Sequence, residues 1–320
     1  MTVPLREAWP EFVQMMLDAG GVDPHVQLTS DWARDASTPL ETAWRVACYV
    51  GPYVPSTAAA IHARWLDPTT LFTTPINEVS AWLAEHHAGL PRRAERRAVL
   101  GSERLAVCLM DLARWVHRGD LLTADYETLW ASLDEIQYVG RYIGMKLLEG
   151  LWQAGVTHAT QTDIRPRDAK NTRRSLGLLF PQHAEIVDSP RNDAAALDLA
   201  NRLASAAARE VDHPLTWYQV ETLLCNFRQT ISGSYYPGKA YDSDLVHHRR
   251  VTTYFGTIPG FDFFERRIRL FPAACLAEVA GSWTDRRVEL KGTWRRFGYI
   301  WSDVIYDWGA TTDLAHPVRR

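Results

Sequence analysis

The sequence predicts an all-α protein. Apolar residues recur at spacings of three and four through most of the 320-residue chain, which is the pattern of amphipathic helices. Capping residues and prolines precede many of these segments, whereas strand signals are scarce and the best of them covers only 251–255. A chain of this length holds one large domain or two lobes, with ample core.

The composition is that of an ordinary globular protein. Hydrophobic residues make up 46% of the chain and charged residues 23%, with a net charge of −3. Nucleic-acid binders are often basic, so this balance argues against one unless basic residues gather on one face. The four cysteines are widely spaced and contain no C-x-x-C pair, which excludes a cysteine-ligated zinc or iron–sulfur motif. We expect buried free thiols, no metal site and no cofactor.

The N-terminus and the hydropathy pattern favour the cytoplasm. The first nine residues lack the charged-then-apolar pattern of a signal peptide. No apolar run approaches the roughly 20 residues that a membrane span requires. We therefore expect a protein of a reducing, cytoplasmic compartment.

The first helices are predicted from their boundaries. A helix over 5–19 ends at two glycines, and Thr38 is expected to cap the next helix, with Glu41 completing a capping box. Further helices are expected over 56–65, where Ser56 would be the cap, and over 74–88.

The middle of the chain begins with a basic run. Residues 91–97 contain several arginines and are interpreted as a solvated helix start rather than a phosphate-facing patch. Residues 102–117 are strongly apolar and predict a central helix. Later helices are expected over 192–210, 214–228, 261–269, 272–281 and 292–308.

Residues 133–153 carry the pattern around which we interpret the rest. Leu133 and Ile136 end one helix, residues 138–140 form a tight turn, and a second helix runs over 141–153. Glycine at the end of the turn allows close approach of the backbone, and the N–H groups that open the second helix suit a phosphate. The plainer interpretation is a helical turn in an all-α core. The candidate DNA-binding residues are Tyr138, Gly140, Arg141, Tyr142, Gly144 and Lys146.

Asp163 is the candidate catalytic residue. It lies 23 positions after Gly140, at the end of a predicted loop, and a helix is expected to begin at Arg165 and Pro166. One side of that helix would be basic, through Arg167, Lys170, Arg173 and Arg174. The plainer interpretation of Asp163 is a helix cap, because aspartate is a favoured capping residue.

The Val139–Gly140 turn, the helix after it and Asp163 ahead of a basic helix resemble the helix-hairpin-helix DNA glycosylase superfamily over 126–180. The resemblance implies two helical lobes around a cleft, with a flipped base between them, and places the superfamily's aspartate at Asp163. Tyr138 stands where the superfamily usually has glycine. Tyr142 stands where its bifunctional members carry a Schiff-base lysine, so no lyase activity is expected.

The segment 221–244 carries a second resemblance. Its sequence, E-T-L-L-C-N-F-R…S-G-S-Y-Y-P-G-K-A-Y-D-S-D, resembles the phage amino acid:DNA transferases, also called α-glutamyl/putrescinyl thymine pyrophosphorylases. The resemblance implies that a free amino acid or polyamine displaces pyrophosphate from a pyrophosphorylated 5-hydroxymethyluracil in double-stranded DNA. Such a reaction would take place in the cytoplasm of a phage-infected bacterial host. It also implies one glycosylase-like domain over 1–320, with an active-site loop and helix at 160–180 and a substrate loop at 229–248.

Each chemical need of that reaction has candidate residues. A flipped base needs aromatic partners, and the candidates are Tyr142, Tyr235 and Tyr236. The pyrophosphate needs cations, and the candidates are Lys170, Arg173, Arg174 and Lys239. The carboxylate of an amino acid would suit Arg165 or Arg228. Asp163 would act as general base or as counter-ion of the ammonium group.

Two other functions stay open. In a monofunctional DNA glycosylase, Asp163 would stabilise positive charge on the sugar, so this residue suits both enzymes. A non-catalytic DNA-binding protein is the third interpretation. Asp242 and Asp244 are interpreted as surface or cap residues rather than magnesium ligands, and His247 and His248 as solvated loop residues.

Overall fold

The computed structural model describes residues 2–3, 5–18, 20–93, 99, 101–189, 191–231, 239–271 and 305–306. Within these residues it contains 15 α-helices, together with two strands of two residues each that pair in parallel, β1 (Thr2–Val3) and β2 (Ile305–Tyr306). The predicted all-α fold is confirmed.

The helices differ widely in length. In chain order they are α1 (Trp9–Asp18), α2 (Pro24–Arg34), α3 (Pro39–Val50), α4 (Pro55–Arg64), α5 (Pro68–Thr73), α6 (Ile76–Glu85), α7 (Ser102–His117), α8 (Tyr126–Ser132), α9 (Arg141–Gln153), α10 (Lys170–Leu179), α11 (Ala184–Asp188), α12 (Asp193–Glu210), α13 (Trp217–Ile231), α14 (Lys239–Phe255) and α15 (Phe263–Leu270). Short 3₁₀ turns lie at Leu5–Ala8, Asp120–Leu122, Leu133–Glu135 and Pro181–His183.

The chain forms two compact units. The first takes its described residues from 1–23, 161–239 and 271–320, and the second from 24–160 and 240–270. The hairpin of α8 and α9 therefore belongs to the second unit, and Asp163 belongs to the first. The cleft that the sequence predicts between Gly140 and Asp163 stays a prediction.

The first unit is built around an aromatic core. The rings of Trp9, Phe12 and Phe227 have centroids 5.2–5.8 Å apart, and two of the three pairs meet edge to face. The indole N–H of Trp9 donates to the Leu203 carbonyl at 3.2 Å, which satisfies the polar end of a fully buried ring. Helices α1, α12 and α13 are thereby fixed to one another.

The second unit is held by buried hydrogen bonds between its helices. The indole N–H of Trp44 on α3 donates to the carbonyl of Trp65 after α4, at 2.7 Å. The hydroxyl of Ser30 on α2 donates to the Gly150 carbonyl on α9, at 3.2 Å. Each bond satisfies a polar group that burial would otherwise leave costly.

Several predicted boundaries are confirmed. Helices α7 and α9 have the predicted limits, and the Thr38 hydroxyl accepts from the backbone N–H of Glu41 at 3.1 Å. The Glu41 carboxylate accepts from the Ser37 N–H, one residue before the position that a capping box requires. The cap at Ser56 was wrong, because Pro55 already occupies the first position of α4.

Other predicted elements were wrong or lie elsewhere. The short strand predicted over 251–255 is the end of α14, where helical packing overrides the strand preference of these residues. The same helix contains 239–248, which the sequence assigned to a loop. The helix predicted over 272–281 lies outside the described residues, as does the one over 292–308 except for 305–306, which form β2 instead of a helix.

The described cysteines are buried free thiols, as predicted. These are Cys48, Cys108 and Cys225, while Cys275 lies outside the described residues. Burial raises the pKa of the Cys108 thiol to about 12 and also raises the pKa of Cys48, so both stay protonated. None of the described helices has the length and apolar character that crossing a bilayer would require.

A buried carboxylate joins α2 to α15 in the second unit. Asp31 accepts from Arg266 at 2.7 Å and from Arg269 at 2.5 Å, and Arg266 also binds Asp35. Burial by itself would raise the pKa of Asp31, but the hydrogen bonds and charges of the two arginines outweigh it and hold that pKa below its usual value of 3.8.

We expect Asp31→Asn to destabilise the protein by about 3 kcal/mol at pH 7, because the buried Arg266 then keeps only the half-exposed Asp35 as its anionic partner. Since the folded-state pKa of Asp31 is lowered, its contribution is present above about pH 4 and is lost as the pH falls through the folded value. The variant should therefore lose less stability than the wild type on acidification below pH 4. Urea unfolding at several pH values measures both effects.

Asp35→Asn is the matched control, because this carboxylate shares Arg266 but is half-exposed. We expect that variant to cost less than about 1 kcal/mol. Equal losses in the two variants would contradict the importance of the buried position.

Candidate functional site

The predicted hairpin is present in the second unit. After α8 and the 3₁₀ turn, residues 136–140 reverse the chain, and α9 begins at Arg141 with Gly140 as its N-cap. The Gln137 N–H donates to the Asp111 carboxylate at 3.3 Å, which attaches the turn to α7. Gly140 has no side chain to cap the helix, so the N-terminus of α9 is left accessible at an exposed residue.

The two glycines of the hairpin have different roles. A Cβ added to Gly140 would meet no described atom within 4 Å, and its φ of −86° is open to any residue. The fold within the described residues therefore does not require glycine at this position. A ligand that approaches the backbone closely would require it. A Cβ at Gly144 would lie 2.6 Å from the Leu133 side chain. Gly144 therefore leaves room for the 3₁₀ turn Leu133–Glu135 to pack against α9. This role in packing does not support its predicted contact with DNA.

Tyr138 takes the strained position of the turn. Its φ of +66° lies in the left-handed region, which favours glycine. Glycine is the usual residue at this place in the helix-hairpin-helix DNA glycosylases that the segment resembles. The ring is 48% exposed, with the Arg104 guanidinium 5.8 Å from its centroid. An aromatic residue held at such a cost on an exposed turn is suited to contact a ligand.

Lys146 does not lie at the surface. It is fully buried, and its ammonium group pairs with Glu149 at 2.7 Å. The same ammonium lies 5.7 Å from the ring of Tyr142, whose hydroxyl is 3.0 Å from that of Tyr53. The predicted direct contact of Lys146 with DNA was therefore wrong for this structure, because the cation is sequestered. Arg141 and Tyr142 remain partly exposed at the start of α9.

Asp163 lies in a loop of the first unit, and it does not cap a helix. Its carboxylate accepts from the Arg165 N–H at 2.5 Å and lies 3.8 Å from the Arg165 guanidinium. The helix predicted to begin at Arg165 begins instead at Lys170. Arg165 has a φ of +45° and Asp168 a φ of +61°, and a helix cannot pass through left-handed residues. Pro166 contributes, because the residue before a proline is disfavoured in the helical region.

The adjacent arginines of α10 have opposite environments. Arg173 is buried and donates to the carbonyls of Pro166, Val187 and Ser189 at 2.7–3.0 Å, and it also binds Asp193. All of its donor nitrogens are thus used within the first unit, so the predicted pyrophosphate contact was wrong for Arg173. Arg174 is partly exposed, and within the described residues no carboxylate pairs with it.

Arg228 on α13 lies close enough to Arg174 for their charges to interact. Burial, followed by the charge of Arg174, lowers the pKa of the Arg228 guanidinium. Its Nη1 donates to Asn171 at 3.4 Å, whereas its buried Nε has no hydrogen-bond acceptor among the described residues. Two like charges near an unsatisfied donor are stabilised by an anion. Lys170 is exposed on the same helix as Arg174.

The side chains of three predicted site residues lie outside the described part of the chain. Tyr235 and Tyr236 lie outside the described residues. Lys239 begins α14, and its side chain is likewise outside the description. Their roles stay predictions.

The structure reveals a buried polar cluster that the sequence interpretation missed. His25 on α2 places Nδ1 2.6 Å from a carboxylate oxygen of Asp244 on α14, and its Nε2 is bound by Arg93. The exposed fractions of His25, Arg93 and Asp244 are 4%, 8% and 1%. The solvated interpretation of Arg93 and the surface interpretation of Asp244 were therefore wrong. We call these three residues the His25–Asp244–Arg93 cluster.

Two histidines of α14 lie beside this cluster. His248 is buried, bonds to Ser56 at 3.0 Å and stacks on Phe263, which are structural contacts. Burial, aided by the charges of Arg93 and His25 and opposed by that of Asp244, lowers the pKa of His247. Neither histidine is a solvated loop residue, so that prediction was also wrong. No three histidine, cysteine or acidic side chains are grouped as metal ligands in the described part of the chain.

The fold and the hairpin define an all-α protein with an uncapped helix N-terminus on an exposed turn. The chain belongs to the amino acid:DNA transferase family, whose family model matches residues 76–236, half of the chain. The matched region includes the hairpin, Asp163 and the arginine pair, whereas His25 and Asp244 lie outside it. No curated protein and no solved structure gives a match. Family membership implies a transferase that uses DNA and an amino acid.

We expect Arg173→Met to lower the free energy of unfolding by about 3 kcal/mol or more. The substitution leaves buried carbonyls without a donor and the Asp193 carboxylate without its close partner. Chemical unfolding of the full chain measures the loss. Arg167→Met is the control, because Arg167 is 82% exposed and lies 3.7 Å from the same carboxylate. A control loss above about 1 kcal/mol, or no loss in Arg173→Met, would contradict the scaffold role.

Proposed function

We propose that this protein transfers an amino acid onto a thymine-derived base in DNA, by displacing pyrophosphate from a flipped, pyrophosphorylated 5-hydroxymethyluracil. Membership of the amino acid:DNA transferase family is the observation that carries the proposal. The site of action would be the cytoplasm of a phage-infected bacterium, where the DNA substrate is found. The family implies the transfer, while the base, the leaving group and the flipping step are parts of the proposal.

The proposed reaction is a substitution at the 5-methylene carbon. The neutral amine nitrogen forms a bond to that carbon, and the bond from the carbon to the pyrophosphate oxygen breaks. The electron pair of the broken bond leaves with pyrophosphate, and the amine proton passes to a base of the protein. No electrons enter or leave the system, so the reaction needs no redox cofactor.

The hairpin is the proposed DNA-binding element. The accessible N-terminus of α9 suits a phosphate oxygen, because backbone N–H groups and the helix dipole both favour an anion there. The open space at Gly140 leaves room for a DNA strand to approach. Arg141 adds a cation, and the exposed ring of Tyr138 can enter the space that a flipped base leaves.

Arg174 and Arg228 are the proposed binding residues for the pyrophosphate leaving group. Their mutual repulsion and the unsatisfied Nε of Arg228 would both be relieved by a polyanion. Binding a leaving group as its negative charge develops lowers the barrier of the substitution. Lys170, on the same helix and exposed, would add a third cation.

Asp163 is the proposed proton acceptor. Its carboxylate is part-exposed and is oriented by the backbone N–H of Arg165, in a loop that the strained residues Arg165 and Asp168 hold in shape. A carboxylate would serve equally well in a glycosylase, where it would stabilise a cationic sugar. The product formed from DNA therefore has to separate the two enzymes.

We expect a new amine-linked thymidine when the protein is incubated with DNA containing pyrophosphorylated 5-hydroxymethyluracil and a mixture of amino acids and polyamines. Mass spectrometry of the digested nucleosides detects the adduct and identifies the amine, and released pyrophosphate should appear in equal amount. Abasic sites in place of the adduct would show a glycosylase. If the protein binds the DNA but leaves it chemically unchanged, the result would favour a non-catalytic DNA-binding protein.

We expect Asp163→Asn to reduce turnover at least 100-fold while leaving DNA affinity within about twofold, because the amide cannot accept the proton. Single-turnover kinetics measure the first effect and fluorescence anisotropy the second. Asp168→Asn is the matched control, since Asp168 is exposed in the same loop and asparagine tolerates its φ of +61°. Full turnover in Asp163→Asn would exclude the role as base.

A further inference from the structure

The His25–Asp244–Arg93 cluster contains an acceptor that the fold leaves unsatisfied. One carboxylate oxygen of Asp244 binds His25 at 2.6 Å, whereas the other is buried and has no hydrogen-bond partner among the described residues. Asp244 is 1% exposed, so bulk water does not satisfy that oxygen. Leaving a buried carboxylate oxygen without a donor is costly, and native structures rarely do so without a reason.

A second unsatisfied atom, a ring nitrogen of His247, lies three positions further along the same helix. Nδ1 of His247 is buried and likewise has no partner in the described part of the chain. The lowered pKa of His247 favours the neutral ring, and in the tautomer with the proton on Nε2 its Nδ1 carries the lone pair. The charges of Asp244, Arg93 and His25 all affect this ring, which places the four side chains in one neighbourhood.

Two buried acceptors near one negative charge are the environment that an ammonium group requires. An ammonium carries three N–H donors and a positive charge, so it would satisfy the free oxygen of Asp244 and the lone pair of His247 together. Arg93 adds a guanidinium on the opposite side of His25, since it binds Nε2 of the ring while Asp244 binds Nδ1. A guanidinium suits a carboxylate.

We infer that the His25–Asp244–Arg93 cluster, together with His247, is the binding site for the α-amino acid co-substrate and selects it against polyamines. Asp244 and His247 bind the α-ammonium group, and Arg93 attracts the α-carboxylate. This inference rests on the proposed transfer to DNA and assigns the residues that bind the amino acid. A polyamine carries a second cation where the amino acid has an anion, and Arg93 would repel it.

The site differs from the other buried ion pairs of the same unit. Asp31 has three arginine partners, and Glu149 uses both carboxylate oxygens, on Lys146 and Gln153. In those networks, both oxygens of each carboxylate accept hydrogen bonds. Asp244 instead keeps a buried oxygen that has no hydrogen-bond partner among the described residues, three positions before His247.

The test measures binding without transfer. The full chain is mixed with a duplex carrying 5-hydroxymethyluracil without pyrophosphate, so that no leaving group is present. Equilibrium dialysis with labelled glycine, serine and glutamate then gives the affinity for each amino acid, and putrescine, methylamine and acetate serve as competitors. We expect at least one amino acid to bind, with each of the three competitors at least tenfold weaker.

Asp244→Asn should weaken amino acid binding at least tenfold. The amide removes the negative charge that attracts the ammonium group and replaces one acceptor oxygen by a donor. His247→Leu is the second variant, on a less buried residue, and should weaken binding at least threefold. His248→Gln is the matched control, since this neighbour bonds to Ser56 and stacks on Phe263. Its affinity should stay within twofold, and thermal melts verify that each variant is folded.

Three results would overturn the site. These are no binding of any of the amino acids to the wild type, unchanged affinity in folded Asp244→Asn, and displacement of the amino acid by putrescine at equal concentration. An amine-linked nucleoside formed by a protein that fails this test would leave the proposed function intact and remove the site alone. Binding that passes the test without any transfer to pyrophosphorylated DNA would remove the function alone.

Discussion

The structure depends on the pairing of charge that has been removed from water. An ionised group inside a protein is tolerated only when opposite charge and hydrogen bonds replace its hydration. Asp31 is paired with three arginines, Lys146 with Glu149, and Arg173 with Asp193 and three carbonyls. These networks fix α2 to α15, stabilise α9 from within, and join α10 to the loop before it. Asp244 departs from this pairing, because one of its buried carboxylate oxygens has no hydrogen-bond partner among the described residues, and we assign that oxygen to the co-substrate.

The sequence predicts those parts of the fold that local chemistry determines. Helix α9 follows from its apolar spacing and from Gly140, and the cap at Thr38 follows from residue type alone. Prediction failed where tertiary contacts outweigh local preference. Residues 251–255 have strand character but continue a helix that packs in the second unit, and Arg165 takes a left-handed conformation that no residue type predicts. The proline after Arg165 was the available signal, and it indicated a break rather than a helix start.

The candidate site was predictable in its residue types and not in their environments. Arg173 and Arg174 are adjacent in sequence, yet successive residues of a helix point about 100° apart, so one is buried in the scaffold and the other is partly exposed. Lys146 has the composition of a DNA contact and the burial of a core residue. The pair of His25 and Asp244 spans 219 positions, and no spacing rule connects residues so far apart. Only the folded chain shows that they meet.

An electrostatic conflict is built into any enzyme that uses an amino acid as a nucleophile. A carboxylate that binds the ammonium also raises the pKa of that group, and a protonated amine cannot attack carbon. The His25–Asp244–Arg93 cluster balances these demands, because the guanidinium of Arg93 offsets the charge of Asp244 and the rings of His25 and His247 add polarity without a further negative charge. Because the charges of Asp244 and Arg93 offset each other, the site binds the ammonium group mainly by hydrogen bonds, and the group can still lose a proton. Burial strengthens the hydrogen bonds that bind the ammonium group, and it also strengthens the effect by which the charge of Arg93 lowers the pKa of that group. The same removal of water therefore favours both binding and reaction.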